Sequence, residues 1–187
     1  MITAEHTFLS PGAYPLSRLG EPDKLLFFDI ETTGFSGDCQ QVYLIGCTYF
    51  CSGKWHLIQW FADSPQSEKD VLSAFYKFIQ NFSALVHFNG DGFDIPFLLK
   101  RFRIWNQPWD FSSFASIDIY KRIRPYRKIM GLESLKQKSI EQFLGIFRQD
   151  PYSGGQLIDV YKFFLETREK SLYEALMLHN REDLEGM

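Results

Sequence analysis

Phe27-Phe28-Asp29-Ile30-Glu31-Thr32-Thr33-Gly34 closes an apolar run that begins at Leu25. Residues 25–30 read as a strand, and on a strand residues i and i+2 project from the same face. Asp29 and Glu31 therefore point the same way from an element whose other residues are suited to burial. Two like charges held that close repel each other, and each costs several kcal/mol to take out of water. Something positive must balance them, and a divalent cation with oxygen ligands is the simplest partner.

Outward from this strand, further strands are expected over 42–50 and 54–61, joined by the short turn Cys51-Ser52-Gly53, and over 84–88 and 116–119. Between them Ser67 to Phe82 predicts a helix. Val71, Leu72, Phe75, Phe78, Ile79 and Phe82 form its apolar stripe, behind a capping arrangement of Ser67 and Asp70. Asn89-Gly90-Asp91-Gly92 supplies residues that tolerate a tight turn into a second helix near 94–105, with Pro96 in its permitted first turn. Helices are expected again over 132–144, 156–166 and 171–185. Three strands followed by strands alternating with helices predict an α/β fold: a five-stranded mixed sheet with helices on both faces. Residues 1–24 contain Pro11, Gly12, Pro15, Gly20 and Pro22 without a clear period, and read as an irregular N-terminal arm ahead of one domain over 25–187.

The 187 residues suffice for one large core, and 17% aromatic content with 19 Phe makes that core rich in rings. A net charge of −3 gives no global basic signature. Yet ten of the 20 Lys and Arg fall between Lys100 and Lys138, against three acids, which suits either a solvated helix face or a surface that tracks phosphates. Cys39, Cys47 and Cys51 lack CxxC spacing, so neither a zinc site nor a disulfide framework is supported. No apolar run reaches membrane-spanning length and no signal peptide precedes the first strand. The expected setting is the reducing cytoplasm, without a membrane partner.

Two more segments carry acids. In His87-Phe88-Asn89-Gly90-Asp91-Gly92-Phe93-Asp94, Asp94 stands at a helix start, either as a cap or as a member of an acidic group at the sheet edge. In the last expected helix, Leu172, Leu176, His179 and Asp183 step by 4, 3 and 4, which is one helical stripe. A histidine and an aspartate thus continue the face that leucines use to meet the core. Glu182 and Glu185 fall off that stripe and read as solvated. Asp118 reads as the cap of a following helix in preference to a ligand, Asp91 as a turn residue, and Lys136 and Lys138 as surface residues in preference to phosphate contacts.

FFDIETTG at 27–34, HFNGDGFDIPFL at 87–98 and LHNREDL at 178–184, in this order, resemble the DEDD superfamily of 3′–5′ exonucleases. Within it the chain looks most like the small bacterial ribonuclease-H-like (YprB-type) family, over about residues 25–187. The resemblance implies a ribonuclease-H-like fold and a site for two divalent cations, Mg2+ or Mn2+, held by Asp29, Glu31, Asp94 and Asp183. Such a pair, roughly 3.5–4 Å apart, activates a water and stabilises the departing oxygen of an in-line displacement. His179 would orient or deprotonate that water. Thr32, Thr33, Phe35, Asn89 and Phe93 would meet the terminal nucleotide, Thr32 and Thr33 through main-chain groups and Phe35 or Phe93 by stacking. The implied partner is the 3′ end of DNA or RNA. One departure stands out. The family's histidine branch places His five residues before the last Asp and its tyrosine branch uses four; His179 sits four before Asp183.

Other readings compete. A catalytically quiet nucleic-acid-binding domain and an endonucleolytic or structure-specific enzyme of the same fold fit the same residues. A haloacid-dehalogenase-like phosphatase shares a strand followed by an acid-x-acid-x-Thr motif, but the later lysine and acidic motifs do not fall in its order.

Overall fold

A computed structural model of the chain describes residues 1–8, 15–107 and 109–187. Six strands form one mixed sheet: β1 (Ile2–Phe8), β2 (Leu25–Thr32), β3 (Val42–Cys51), β4 (Lys54–Phe61), β5 (Ala84–His87) and β6 (Ala115–Asp118), in the order β1-β4-β3-β2-β5-β6. The β1/β4, β4/β3 and β3/β2 pairs are antiparallel, and β2/β5 and β5/β6 are parallel. The β3–β4 hairpin turns on Ser52 and Gly53, both with positive φ (51° and 78°), the geometry that matches strand twist in a two-residue loop.

The helices are α1 (Glu68–Ile79), α2 (Asp94–Ile104), α3 (Ile119–Ile123), α4 (Gln137–Phe143), α5 (Gly154–Thr167) and α6 (Lys170–Glu185). Strand β2 explains why they lie on both faces. Phe28 packs on Phe75 of α1, with ring centroids 5.5 Å apart. Asp29, its neighbour and so on the opposite face, accepts a hydrogen bond from Asn180 of α6 at 2.8 Å. Leu26, Phe28 and Ile30 join Val71, Leu72 and Phe75 in the main core, which continues through Tyr161 and Phe164 of α5. A buried bidentate pair, Arg101 on Glu68 at 2.7 Å for both bonds, ties α2 to α1. Arg101 also donates to Gly37 O at 3.1 Å, holding the loop after β2. Among the described residues no helix is long and apolar enough to cross a membrane.

The sheet has six strands rather than the expected five. Ile2–Phe8 pairs along its whole length with β4, from Ile2 opposite Phe61 to Phe8 opposite Trp55. As an edge strand it is mostly exposed on both sides and is held by backbone ladder bonds, so its side chains carry little apolar alternation. Residues 9–14 of the expected irregular arm lie outside the described residues. The helix expected over 132–144 is confined to Gln137–Phe143. Gly131 adopts a φ of +65°, and Ser134 Oγ accepts the Lys136 N–H at 3.1 Å, so 131–136 stays an irregular strap. The cap expected from Ser67 does not form; its hydroxyl donates to Asp63 at 2.7 Å instead.

Candidate active site

The site grows from the end of β2. A register shift between Glu31 and Thr32 lets Thr32 pair with Val42 while Glu31 pairs with Leu44, and this bulge marks the point where the strand leaves the sheet. Directly across from Asp29 stands Gly46 of β3. A Cβ there would lie 2.0 Å from Asn180 Oδ1 and 2.6 Å from Leu184 Cδ1, so only glycine lets α6 come down onto the sheet. The close approach puts the Asn180 amide between two partners. It donates to Asp29 Oδ2 at 2.8 Å, and its carbonyl accepts from Gln59 Nε2 at 2.9 Å, which also reaches Met177 O at 3.0 Å.

The β5–α2 turn delivers Asp94. Asn89 takes the left-handed region (φ 61°), and its N–H donates to Asp118 Oδ1 at 3.0 Å. Gly90 closes over the His87 ring, donating to Nδ1 at 3.0 Å, with no room for a Cβ (2.6 Å from Cγ). The His87 Nε2–H then faces Ser116 Oγ at 2.9 Å, and Ser116 donates to Asp91 at 2.6 Å. Both ring nitrogens are occupied, so His87 braces the turn. Asp94, 5% exposed, accepts the Ile30 N–H at 3.3 Å and is thereby stitched to β2.

From the other side come α6 and the loop before α5. His179 Nε2 lies 3.1 Å from Asp183 Oδ2 and 3.7 Å from Glu31 Oε1, while its Nδ1 lies 2.5 Å from Asp150 Oδ2. Arg148 Nη1 stands 2.7 Å from Asp183 Oδ1, a close ion pair whose angle falls short of a directed hydrogen bond. Its other nitrogens grip buried Glu141 at 2.5 Å. Glu182 anchors the loop by accepting the Gln149 and Asp150 N–H groups, each at 2.9 Å.

Asp29, Asp94 and Asp183 share the wall of a cleft of about 540 Å³, together with Phe88, Asn89, Phe93, Tyr120 and the strap residues Ser134 to Gln137. Glu31, His179 and Asp183 present ligand-type atoms within 4.8 Å of one another. The charges are out of balance. Burial, then the charges of Asp183, Glu31 and Asp94, push the Asp29 carboxyl well above the usual range. Burial, then Asp183 and Asp94, do the same to Glu31. Asp94 rises to about 7, mainly through burial and against the N–H bonds it accepts. Asp183 is burdened by burial too, but His179 and Arg148 outweigh it and hold that carboxyl low. Burial disfavours a charged His179 ring, yet Asp183 and Asp150 more than offset it, so the ring titrates above its ordinary value.

The four expected acids and His179 are thus neighbours. The five residues expected against substrate divide. Asn89 and Phe93 line the cleft, whereas Thr32, Thr33 and Phe35 do not. Thr32 donates to Gly34 O at 2.7 Å; Thr33 gives its hydroxyl to Gln40 and its N–H to Gln41 O, each at 2.9 Å, so that main-chain donor is already used. Phe35 is 81% exposed on the loop beyond. Asp118 caps α3 as expected, through the Lys121 N–H. Glu182 and Lys138, read as solvated and surface residues, instead clamp the 149–152 loop.

Four residues escaped the sequence reading: Asn180, Arg148, Asp150 and Gly46. A glycine inside the apolar stretch 42–50 was the available signal for the last, since it marks close backbone approach. Asn180 lies four residues from both Leu176 and Leu184, on the helical face they share. No local pattern announces Arg148 or Asp150.

The profile of the RNase H superfamily matches residues 26–187. The chain belongs to that superfamily. It is 27% identical over 168 residues to the uncharacterized protein YprB of Bacillus subtilis (strain 168), covering 87% of this chain but 40% of that relative's length. A family B DNA polymerase from the archaeon Pyrobaculum calidifontis superposes with a TM-score of 0.72 at 16% identity, over 89% of this chain and 24% of the polymerase. The zinc-bound complex of E. coli ExoI with single-stranded DNA gives 0.52 at 14% identity, over 83% and 43%. At such identities the likeness establishes the fold.

Proposed function

We propose that this chain is a metal-dependent nuclease that removes nucleotides from the 3′ end of single-stranded DNA or RNA. The observation that carries the reading is the convergence of Asp29, Asp94 and Asp183 on one cleft wall, with buried Glu31 within ligand distance of His179 and Asp183, and with more negative charge than His179 and Arg148 balance. Carboxylates forced that far from their usual titration range fit a donor set for hard divalent cations. Asp183 already has one contact on each oxygen, yet each oxygen keeps a further lone pair for a ligand bond. Two cations, Mg2+ or Mn2+, would supply a water of lowered pKa and charge stabilisation for the departing oxygen.

The chain's own residues do the rest. His179 Nε2 faces the cluster and would take a proton from the attacking water. Asn180 fixes the Asp29 carboxylate, and the Ile30 N–H fixes that of Asp94. Phe93, Tyr120 and Lys136 border the cleft where a base and its phosphate would rest. Two fold relatives, a polymerase and an exonuclease seen with single-stranded DNA, support this choice of substrate.

The test is a 5′-labelled oligonucleotide panel of DNA and RNA with Mg2+ or Mn2+. Stepwise shortening from the 3′ end is expected, abolished by excess chelator and by Asp183→Asn while the fold survives. Cleavage that persists in chelator or in that variant refutes the mechanism. Arg148 favours one rival, a binding module that never takes up metal, because its guanidinium stands against Asp183. Calorimetric titration with Mn2+ separates the two: absence of binding selects the rival.

A further inference from the structure

We propose that Asp150 is a positioning residue: its carboxylate fixes the tautomer and ring plane of His179, and Lys138 and the Tyr152 amide fix Asp150. This deepens the nuclease reading and rests on it. Asp150 is 6% exposed and does not line the cleft. Every approach to it is by a donor. Oδ2 lies 2.5 Å from His179 Nδ1 and 2.7 Å from Lys138 Nζ, and Oδ1 accepts the Tyr152 N–H at 3.0 Å. Lys138 also donates to Tyr152 O, so the cation is tied to the loop as well as to the acid.

An ionised carboxylate only accepts, so Nδ1 must carry the proton in this contact. In the neutral ring that leaves Nε2 with its lone pair. Nε2 is the atom that faces Glu31 and Asp183, at 3.7 and 3.1 Å. A ring that is to accept a proton on the cleft side requires this tautomer; without Asp150, the Asp183 carboxylate 3.1 Å from Nε2 would draw the proton of a neutral ring to the cleft side instead, so Asp150 is what holds it on Nδ1. Glu182 completes the device. It precedes Asp183 on α6 and receives the Asp150 N–H at 2.9 Å, so the helix that presents His179 also holds the loop that orients it.

Asp150→Asn, made together with Lys138→Met so that no cation faces the new amide, separates positioning from simple loop tethering. The Tyr152 N–H claims Asn Oδ1, which turns Nδ2 toward His179 Nδ1 and drives the proton to Nε2. With four histidines in the chain, 15N NMR of the metal-free protein resolves the tautomer at a pH where the His179 ring is neutral. Expected are Nδ1–H in the parent chain and Nε2–H in the variant. In Mg2+ kcat should fall about 10²–10⁴-fold with KM for the oligonucleotide little changed, the span a positioned acid–base group supplies. In a His179→Ala background the same two substitutions should cost nothing further.

An Nε2–H tautomer in the parent chain overturns the proposal whatever becomes of the variant. So does a rate loss that multiplies undiminished onto His179→Ala. A parent chain that binds Mn2+ but cleaves no nucleic acid removes the nuclease reading and this role with it. One that cleaves normally while Asp150→Asn leaves tautomer and rate unchanged removes only the role of Asp150.

Discussion

Gly46→Ala is the sharpest probe of how the sheet and α6 build the site. The added methyl would stand 2.0 Å from Asn180 Oδ1, 2.6 Å from Leu184 Cδ1 and 2.9 Å from Asn180 Cγ, where separations under 3.0 Å essentially never occur. Either α6 lifts or Asn180 swings away, and both outcomes break the 2.8 Å bond to Asp29 and the 2.9 Å bond from Gln59. Overpacking costs roughly 1–3 kcal/mol, and the unpaired buried amide adds about 1–3 kcal/mol. A stiffer unfolded chain returns only about 0.4–1 kcal/mol. The expected net loss is about 3 kcal/mol, or roughly 6–12 °C in Tm for a domain of this size. Urea and thermal unfolding measure it, and Mn2+ titration should show weakened binding because Asp29 has lost its anchor. Asn180→Ala in the same chain should recover part of the stability but none of the Asp29 contact. A Gly46→Ala protein as stable as the parent, with equal Mn2+ affinity, refutes the close-approach argument.

Raising the pH should destabilise the metal-free protein between the ordinary carboxylate range and about 7. Over that window Asp94 stays protonated in the fold and ionises in the unfolded chain, so folding binds protons and stability falls as pH rises. Asp29 and Glu31, shifted in the same direction, extend the fall, and added Mg2+ should flatten it in a Tm-against-pH series. Arg148→Met strands Glu141, whose side chain is 2% exposed, and should cost about 3–5 kcal/mol by chemical denaturation. It also relieves Asp183 of a competing cation, so Mn2+ affinity in the folded fraction should rise rather than fall. Arg101→Met leaves Glu68 buried without its guanidinium and should cost a similar ~3–5 kcal/mol. Because Arg101 also holds Gly37 O, amide exchange in the loop over 33–41 should quicken, while the bond from the Ile30 N–H to Asp94 is unaffected.

Strong periodicity made most of the fold legible. The strands over 25–32, 42–51 and 54–61 and the α1 stripe are buried elements whose apolar spacing leaves one reading. Ile2–Phe8 was not legible, because an edge strand is held by main-chain bonds that leave no trace in side-chain type. The same divide runs through the site. Asp29 and Glu31 could be paired from alternation alone, and His179 and Asp183 from helical spacing. Their convergence with Asp94 needed the resemblance of three motifs. Arg148 and Asp150 escaped because they stand on an irregular loop, where no period relates a residue to its neighbours. What brings them inward is tertiary: Glu182 holding two amides, and Lys138 reaching across from α4.

The Asn180–Asp29 bond joins positions 151 residues apart, and the other walls of the cleft come from segments between them. Contacts of such long range are late to form, because closing the intervening chain is entropically costly until most of the structure is in place. A nascent or partly unfolded copy therefore holds its acids apart. Whatever binding capacity the cluster confers is withheld until α6 has docked.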